Sequence, residues 1–247
     1  MSGKFSYSEY VSQNSKLYVD ACIASGNARP MSCPALPHPI ANPVILIVAP
    51  HPDDECLMGS YALRLKEEFG AKVYVVPFSY GSNVNRQAAR KEELKAAVQK
   101  LGFELIETPP PTAKGLLQLI DRLNANMVFS PHEHDGHPTH LKAHEWTKDV
   151  LYAIKTQHPE KKLIWVQTEF WQDMAKPNLL VPLKDDHVIQ LGEALACHAG
   201  EVARNPYHLR LPAWFQDQVR KGSERVSGTG APGIDSVYGQ LYFVSHL

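Results

Sequence analysis

The chain has 247 residues, 44% hydrophobic and 21% charged, which excludes a disordered protein and suits one large domain or two small ones. Its 25 basic and 26 acidic residues leave a net charge of -1, so no global attraction to nucleic acid or to an anionic membrane is expected.

Residues 1–43 read as an N-terminal arm. A helical pattern runs from Tyr7 to Ala24, and a Pro-rich stretch from Pro30 to Pro43 leads into the domain proper. The run Val44–Ala49 is short, apolar and rich in β-branched residues, as suits a parallel strand covered on both faces. A helix is expected from about Glu55 to Phe69, closed by Gly70, and a second strand over Lys72–Pro77. The alternation continues with a helix over Asn85–Leu101 stopped by Gly102, a short strand over Phe103–Ile106, and a Pro-rich loop. Then come a helix over Lys114–Ala125, a strand over Asn126–Ser130, a His-rich loop, a helix over Leu141–Thr156 and a strand over Leu163–Gln167.

Strands alternating with helices imply βαβ units. The fold expected is α/β: an open, mostly parallel, Rossmann-like sheet with helices on both faces. Residues 44–247 are expected to form a single domain. Its stretch 168–247 reads as a C-terminal helical extension that shapes the substrate pocket, with helices near Val188–Arg204 and Pro212–Lys221. Met1 to Tyr10 has no apolar segment of the secretory type, and no run approaches the roughly 18 apolar residues that span a bilayer. The four cysteines, Cys22, Cys33, Cys56 and Cys197, form no C-x-x-C pair, a pattern of reduced thiols. A soluble cytoplasmic protein without a membrane span is expected, and a homo-oligomer is compatible with it.

In open parallel sheets ligands bind beyond the carboxyl ends of the strands, at a switch point. The loop after the first strand reads Ala49-Pro-His-Pro-Asp-Asp-Glu55. Adjacent Asp side chains point apart, so His51 and Asp54 can converge on a metal while Asp53 faces water. A catalytic zinc usually has three protein ligands and an open position. Capping of the next helix accounts for one Asp, but not for a His between two prolines followed by three acids. The loop after Ser130 reads Pro131-His-Glu-His-Asp-Gly-His-Pro-Thr-His140, and five of the twelve histidines fall between His132 and His144. Such concentration points to metal binding or proton transfer without fixing which imidazole binds. His140 and His144, at i, i+4 spacing, could reach one metal together.

Ala-Pro-His-Pro-Asp-Asp-Glu after a strand resembles the signature of the PIG-L/LmbE-like family of zinc-dependent N-acetylglucosamine deacetylases. Gly136-His-Pro-Thr-His140 is similar to that family's second motif, usually Gly-His-Pro-Asp-His, and Arg90-Lys-Glu-Glu93-Leu to its middle helix. The resemblance implies that His51, Asp54 and His140 hold one Zn²⁺ per chain and that Asp53 is the general base. It also implies that His137 stabilises the tetrahedral intermediate or acts as an acid. Thr139 departs from the family's usual Asp, which puts the tuning of His137, not the metal site, in question.

The segments Thr168–Trp171, Pro177–Leu180 and Gly200–Trp214, with the Ser82-Asn83 and Arg86-Gln87 stretch, resemble one branch of the family. Substrate contacts are expected from Ser82, Asn83, Trp171, Arg204, Asn205, Tyr207 and His208. Arg90 either touches substrate or forms an ion pair with Glu93. Tyr80–Asn83 is an anion-binding or hydroxyl-binding turn or a plain one, Trp171, Tyr207 and Trp214 a sugar-stacking wall or core, and Cys56 packing rather than a ligand. No G-x-G-x-x-G or P-loop motif is present, which disfavours a nucleotide cofactor.

The expected activity is removal of an acyl group, acetyl first, from the nitrogen of an N-acetylglucosamine conjugate by water activated at zinc. Fe²⁺, Co²⁺ or Mn²⁺ could also fit a His₂Asp site. The rivals are an amidase of larger acyl groups or of sugar-linked thiol conjugates, and a metal phosphoesterase using the spare Glu133, His134 and Asp135. A sugar-binding module with a structural zinc is disfavoured, because it needs no spare base such as Asp53.

Overall fold

The computed structural model describes residues 5–37, 40–107 and 112–247. The Pro-rich loop at Pro109–Pro111, like His38 and Pro39 in the arm, lies outside the described residues. The element order is α1 (Tyr7–Ala24), β1 (Val44–Ala49), α2 (Asp54–Met58), α3 (Ser60–Phe69), β2 (Lys72–Pro77), α4 (Val84–Leu101), β3 (Glu104–Leu105), α5 (Ala113–Leu123), β4 (Met127–Pro131) and α6 (Pro138–Gln157). It continues with β5 (Ile164–Thr168), β6 (Leu179–Leu183), α7 (Asp185–Leu195), α8 (Ala199–Arg204), α9 (Tyr207–Ser227) and β7 (Tyr238–His246).

These strands form one sheet in the order β3-β2-β1-β4-β5-β7-β6. β1 to β5 run parallel, and β7 is antiparallel to both β5 and β6. The α/β expectation holds. Side chains alternate across a strand, so Ile45, Ile47, Met127 and Phe129 pack with α2, α3, α4, α7 and α9 on one face. Leu46, Val48, Val128 and Trp165 pack with α5 and α6 on the other. Gly70 and Gly102 end α3 and α4 in the left-handed region, at φ 65° and 64°, where a side chain would be strained.

The structure differs from the sequence reading in several helix bounds and in the C-terminal part. The helix expected over 55–69 is broken at Gly59 into α2 and α3. The backbone groups exposed by the break find partners on β7: Gln240 donates to Leu57 O at 2.6 Å, Tyr242 Oη donates to Met58 O at 3.2 Å, and Tyr61 N donates to Tyr242 Oη at 3.0 Å. The helix expected over 188–204 is two helices separated at His198, and α9 begins at Tyr207 with Pro212 inside it. The C-terminal extension is helical as expected, but it also supplies β6 and β7.

No helix among the described residues is long and apolar enough to cross a membrane. All four cysteines are free. The arm is tied down. Tyr10 Oη donates to Leu209 O and Ser15 Oγ to Asp185 Oδ1, both at 2.6 Å. Arg64, only 1% exposed, donates to Pro34 O of the arm and to Pro182 O of β6, each at 2.8 Å, while pairing with Glu68.

Arg64→Met should therefore lower unfolding free energy by about 3 kcal/mol, because it strands two carbonyls and the Glu68 carboxylate. Arg64→Lys should recover only part of that, since one ammonium cannot span the fork. Urea denaturation checks both, and unchanged midpoints would mean that the arm is not fastened through Arg64.

Candidate active site

β1 and β4 lie side by side at the centre of the sheet, and the chain leaves them in opposite directions, toward β2 and toward β5. The loops beyond their carboxyl ends face each other across this switch point. The 50–53 turn enters α2 through Asp53, whose φ of 120° and ψ of -31° are rare for a residue with a side chain. The β4 loop enters α6 through His137 as N-cap with Pro138 in the first turn, and His137 Nδ1 accepts from Thr139 N at 3.3 Å.

The two loops bring His51, Asp54, His137 and His140 together. Asp54 Oδ2 lies 3.3 Å from His51 Nδ1 and 3.2 Å from His140 Nε2, and it also accepts from His51 N at 2.9 Å. Nitrogens of His51, His137 and His140 lie within 4.8 Å of one another. Two ligands on a tetrahedral ion with bonds near 2.0 Å are separated by about 3.3 Å. The Asp54 contacts have that spacing, so this donor set fits a divalent metal. His140 Nδ1 lies 2.9 Å from Asp135 Oδ1, off the line of a good hydrogen bond, and neither Asp135 oxygen has another protein partner among the described residues. A carboxylate behind a histidine in this way is the usual means of orienting a metal-binding imidazole.

The charges respond to this crowding. Burial opposes the Asp54 charge, but His140 and His51 outweigh it and hold the carboxyl well below the usual range. Burial would push His140 down, yet Asp54 and Asp135 push it up to about 10. Asp53 is raised well above an ordinary carboxyl by burial and by the Asp54 and Glu55 charges, against the pull of Arg90. His137 is lowered by burial and by His51 and His140.

The other histidines of the second loop stand apart. His132 Nε2 lies 2.9 Å from Gln172 O, and His134 is in solvent. His144 does not join His140: its Nδ1 lies 3.0 Å from Pro131 O and its ring against Trp165. With Glu133 and His134 exposed and Asp135 turned to His140, the spare residues do not form a second donor group at the site.

A cavity of about 580 Å³ opens over these residues, within the range of roughly 300–1,000 Å³ usual for small-molecule sites. Of the residues singled out for substrate contact, Ser82, Asn83, Arg90, Trp171, Arg204 and Tyr207 line it, with Phe170, Arg86 and Glu201 added. Asn205 and His208 do not. Asn205 is the extended residue between α8 and α9. The ring of His208, one step of about 100° around α9 from Tyr207, lies 5.9 Å from Tyr7. The Arg90–Glu93 pair is not formed either. Arg86 takes Glu93 at 3.0 Å, while Arg90 donates to Pro52 O at 2.8 Å and lies 3.7 Å from both Asp53 and Glu201. Asp135 and Glu201 carried sequence signals, each beside a motif already singled out. Trp171, half exposed, stacks at 6.2 Å on His137.

Residues 46–151 match the family described as PIG-L: GlcNAc-PI de-N-acetylase. A Bacillus anthracis protein, probable N-acetyl-alpha-D-glucosaminyl L-malate deacetylase 2, is 24% identical over 73% of this chain and 90% of its own. Two solved structures share the fold. N,N'-diacetylchitobiose deacetylase from Pyrococcus horikoshii superposes with a TM-score of 0.58 at 16% identity, covering 82% of this chain and 83% of its own. The 4-carboxy-2-hydroxymuconate hydratase GalB from Pseudomonas putida gives 0.62 at 19% identity, covering 82% and 95%. The matched segment, residues 46–151, holds both donor loops, so the family likeness falls on the part of the chain that builds the site, and the solved structures share its fold.

Proposed function

We propose that the chain is a metal-dependent hydrolase that removes an acyl group, acetyl in the simplest case, from the nitrogen of an N-acetylglucosamine-containing conjugate. The observation that carries this is the convergence of two donor loops, His51 with Asp54 and His137 with His140, beside a partly buried carboxylate, Asp53, that is left over. The amino-sugar class rests on the family match and on the Bacillus relative.

In this reading His51, Asp54 and His140 hold one divalent ion, zinc by resemblance. Such an ion lowers the pKa of water and polarises an acyl oxygen. Asp53 takes the proton of the attacking water and returns it to the leaving amine. Burial and the Asp54 and Glu55 charges raise its carboxyl above the ordinary range, the direction that helps it hold a proton between the two transfers. His137 has its Nδ1 occupied by the Thr139 amide, so the neutral ring carries its proton on Nε2. That N–H donates to the developing oxyanion. Trp171 and Tyr207 offer faces for the apolar side of a sugar ring, and Arg86, Arg90 and Arg204 meet its hydroxyls or an anionic aglycone.

One observation favours a second reading, a substituent larger than acetyl. A second cavity of about 340 Å³, lined by Leu57, Leu211, Ala213 and Trp214, shares Phe170 and Tyr207 with the first. N-acyl glucosamines of increasing chain length separate the two: kcat/KM falling beyond acetyl supports deacetylation, and a rise supports the larger group.

Three outcomes are expected. The protein should bind about one metal per chain, and the His51→Ala, His140→Ala double variant should lose it, as metal analysis by mass spectrometry will show; full occupancy in that variant overturns the donor set. Asp53→Asn should keep the metal and lose about 10²–10⁴ in kcat, the worth of a general base, whereas wild-type turnover would move that role to another group. Arg204→Ala and Tyr207→Phe should raise KM with kcat and melting temperature nearly unchanged, because they bind ground and transition states alike. Unchanged KM with lost stability would make that wall purely structural.

A further inference from the structure

Asp53 holds a backbone conformation that costs about 1–3 kcal/mol in a residue with a Cβ, so something must hold it there. Its amide donates to Glu55 Oε2 at 2.9 Å. Glu55 is fully buried, and its other oxygen, Oε1, lies 2.7 Å from Nε2 of His198 and accepts from Cys56 Sγ at 3.3 Å. His198 is also fully buried, and its Nδ1 has no hydrogen-bond partner. A buried imidazole that leaves one nitrogen unsatisfied is costly, and among the described residues its ring hydrogen-bonds only to Glu55.

Glu55, Cys56 and His198 bring their donor atoms within 4.8 Å of one another, so a second metal is the first alternative. The distances argue against it. The 2.7 Å between Nε2 and Oε1 is a hydrogen bond, well short of the roughly 3.3 Å edge of a tetrahedral zinc site. Burial and the Glu55 charge also push the Cys56 thiol up, away from the thiolate a metal needs.

We infer that His198 is a positioning residue: through Glu55 it clamps the Asp53 amide and so aims the Asp53 carboxylate. His198 is the N-cap residue of α8, the helix that carries Glu201 and Arg204 into the cavity wall. Two routes thus run from α8 to the same turn. The lower passes through His198, Glu55 and the Asp53 amide. The upper passes through Glu201 and Arg90 to the Asp53 carboxylate and the Pro52 carbonyl. Substrate contacts on α8 and the proposed base are therefore held in one frame. The inference rests on the proposed role of Asp53.

The test compares His198→Leu, which removes the donor, with His198→Gln, whose amide can restore it, each in the wild-type and Asp53→Asn backgrounds. The Asp53 amide is read by hydrogen exchange in ¹⁵N-labelled full-length protein, alongside metal content, kcat and KM on N-acetylglucosamine conjugates. His198→Leu should speed Asp53 amide exchange and lower kcat by about tenfold, the scale of a misplaced catalytic group, with KM and metal content within about twofold. His198→Gln should recover most of the loss. In the Asp53→Asn background His198→Leu should change kcat by less than about twofold, since a residue acting through Asp53 is non-additive with it.

An equal loss in both backgrounds, or unchanged kcat in His198→Leu, overturns the positioning role. Should wild type hydrolyse no conjugate, the functional reading fails, and the exchange of the Asp53 amide still decides whether His198 holds it. If His198→Leu does not fold, His198→Phe, closer in volume to the imidazole and equally without a donor, replaces it with the same expected outcomes.

Discussion

A carboxylate buried as deeply as Asp54 must be paired or lose its charge. Its partners come from two strands' worth of chain. His51 precedes it in the β1 loop, and His140 arrives from α6 after β4. Asp54 also sits in the first turn of α2, where the free backbone N–H groups favour a negative charge. Satisfying one carboxylate therefore fixes the distance between the β1 and β4 loops, the start of α2 and the rotation of α6. Asp135, pressed against the far nitrogen of His140, extends the same alternation of charge by one more residue. The alternation Asp54, His140, Asp135 is what a cation would complete, and the cavity opens over it.

Much of this was legible in the sequence, because it is local. β1 and β2 appear at the expected residues, and α1 at its expected bounds, since short apolar runs and caps declare themselves within a few positions. The donor residues were legible for the same reason: they lie in two short loops at strand ends. What was not legible depends on partners far along the chain. β7 reads poorly as a strand because Gly239 and Gln240 interrupt it. In the fold Gln240 is fully buried, and it serves the helix break at Gly59 across more than half the chain. The Glu55–His198 contact has the same character, and the single helix expected over 188–204 hid it. Arg90 and Glu93 share a helix face, so their pairing was a fair local expectation; Asp53 and Glu201, both remote in sequence, compete successfully for Arg90.

The C-terminal third of the chain thus serves two purposes. β7 closes the sheet against β5 and anchors α2 and α3 from behind, while α8 and the start of α9 wall the cavity from the front. Both halves of that arrangement press on the same short turn between Pro50 and Asp54. A strained Asp53 persists there because its surroundings over-determine it, which is the condition under which a strained residue can be kept for chemistry.

Thr139 stands where the motif resemblance leads one to expect Asp. A carboxylate at this position would favour a charged His137. Here the Nδ1 contact comes from a backbone amide, which a residue of any type at 139 except proline supplies. A backbone N–H can only donate, so it fixes Nδ1 as the acceptor and leaves the ring neutral with its proton on Nε2. Burial and the neighbouring His51 and His140 push in the same direction. The chain's own residues therefore favour a neutral His137 with its Nε2–H free to donate, and in the proposed reading proton transfer falls to Asp53.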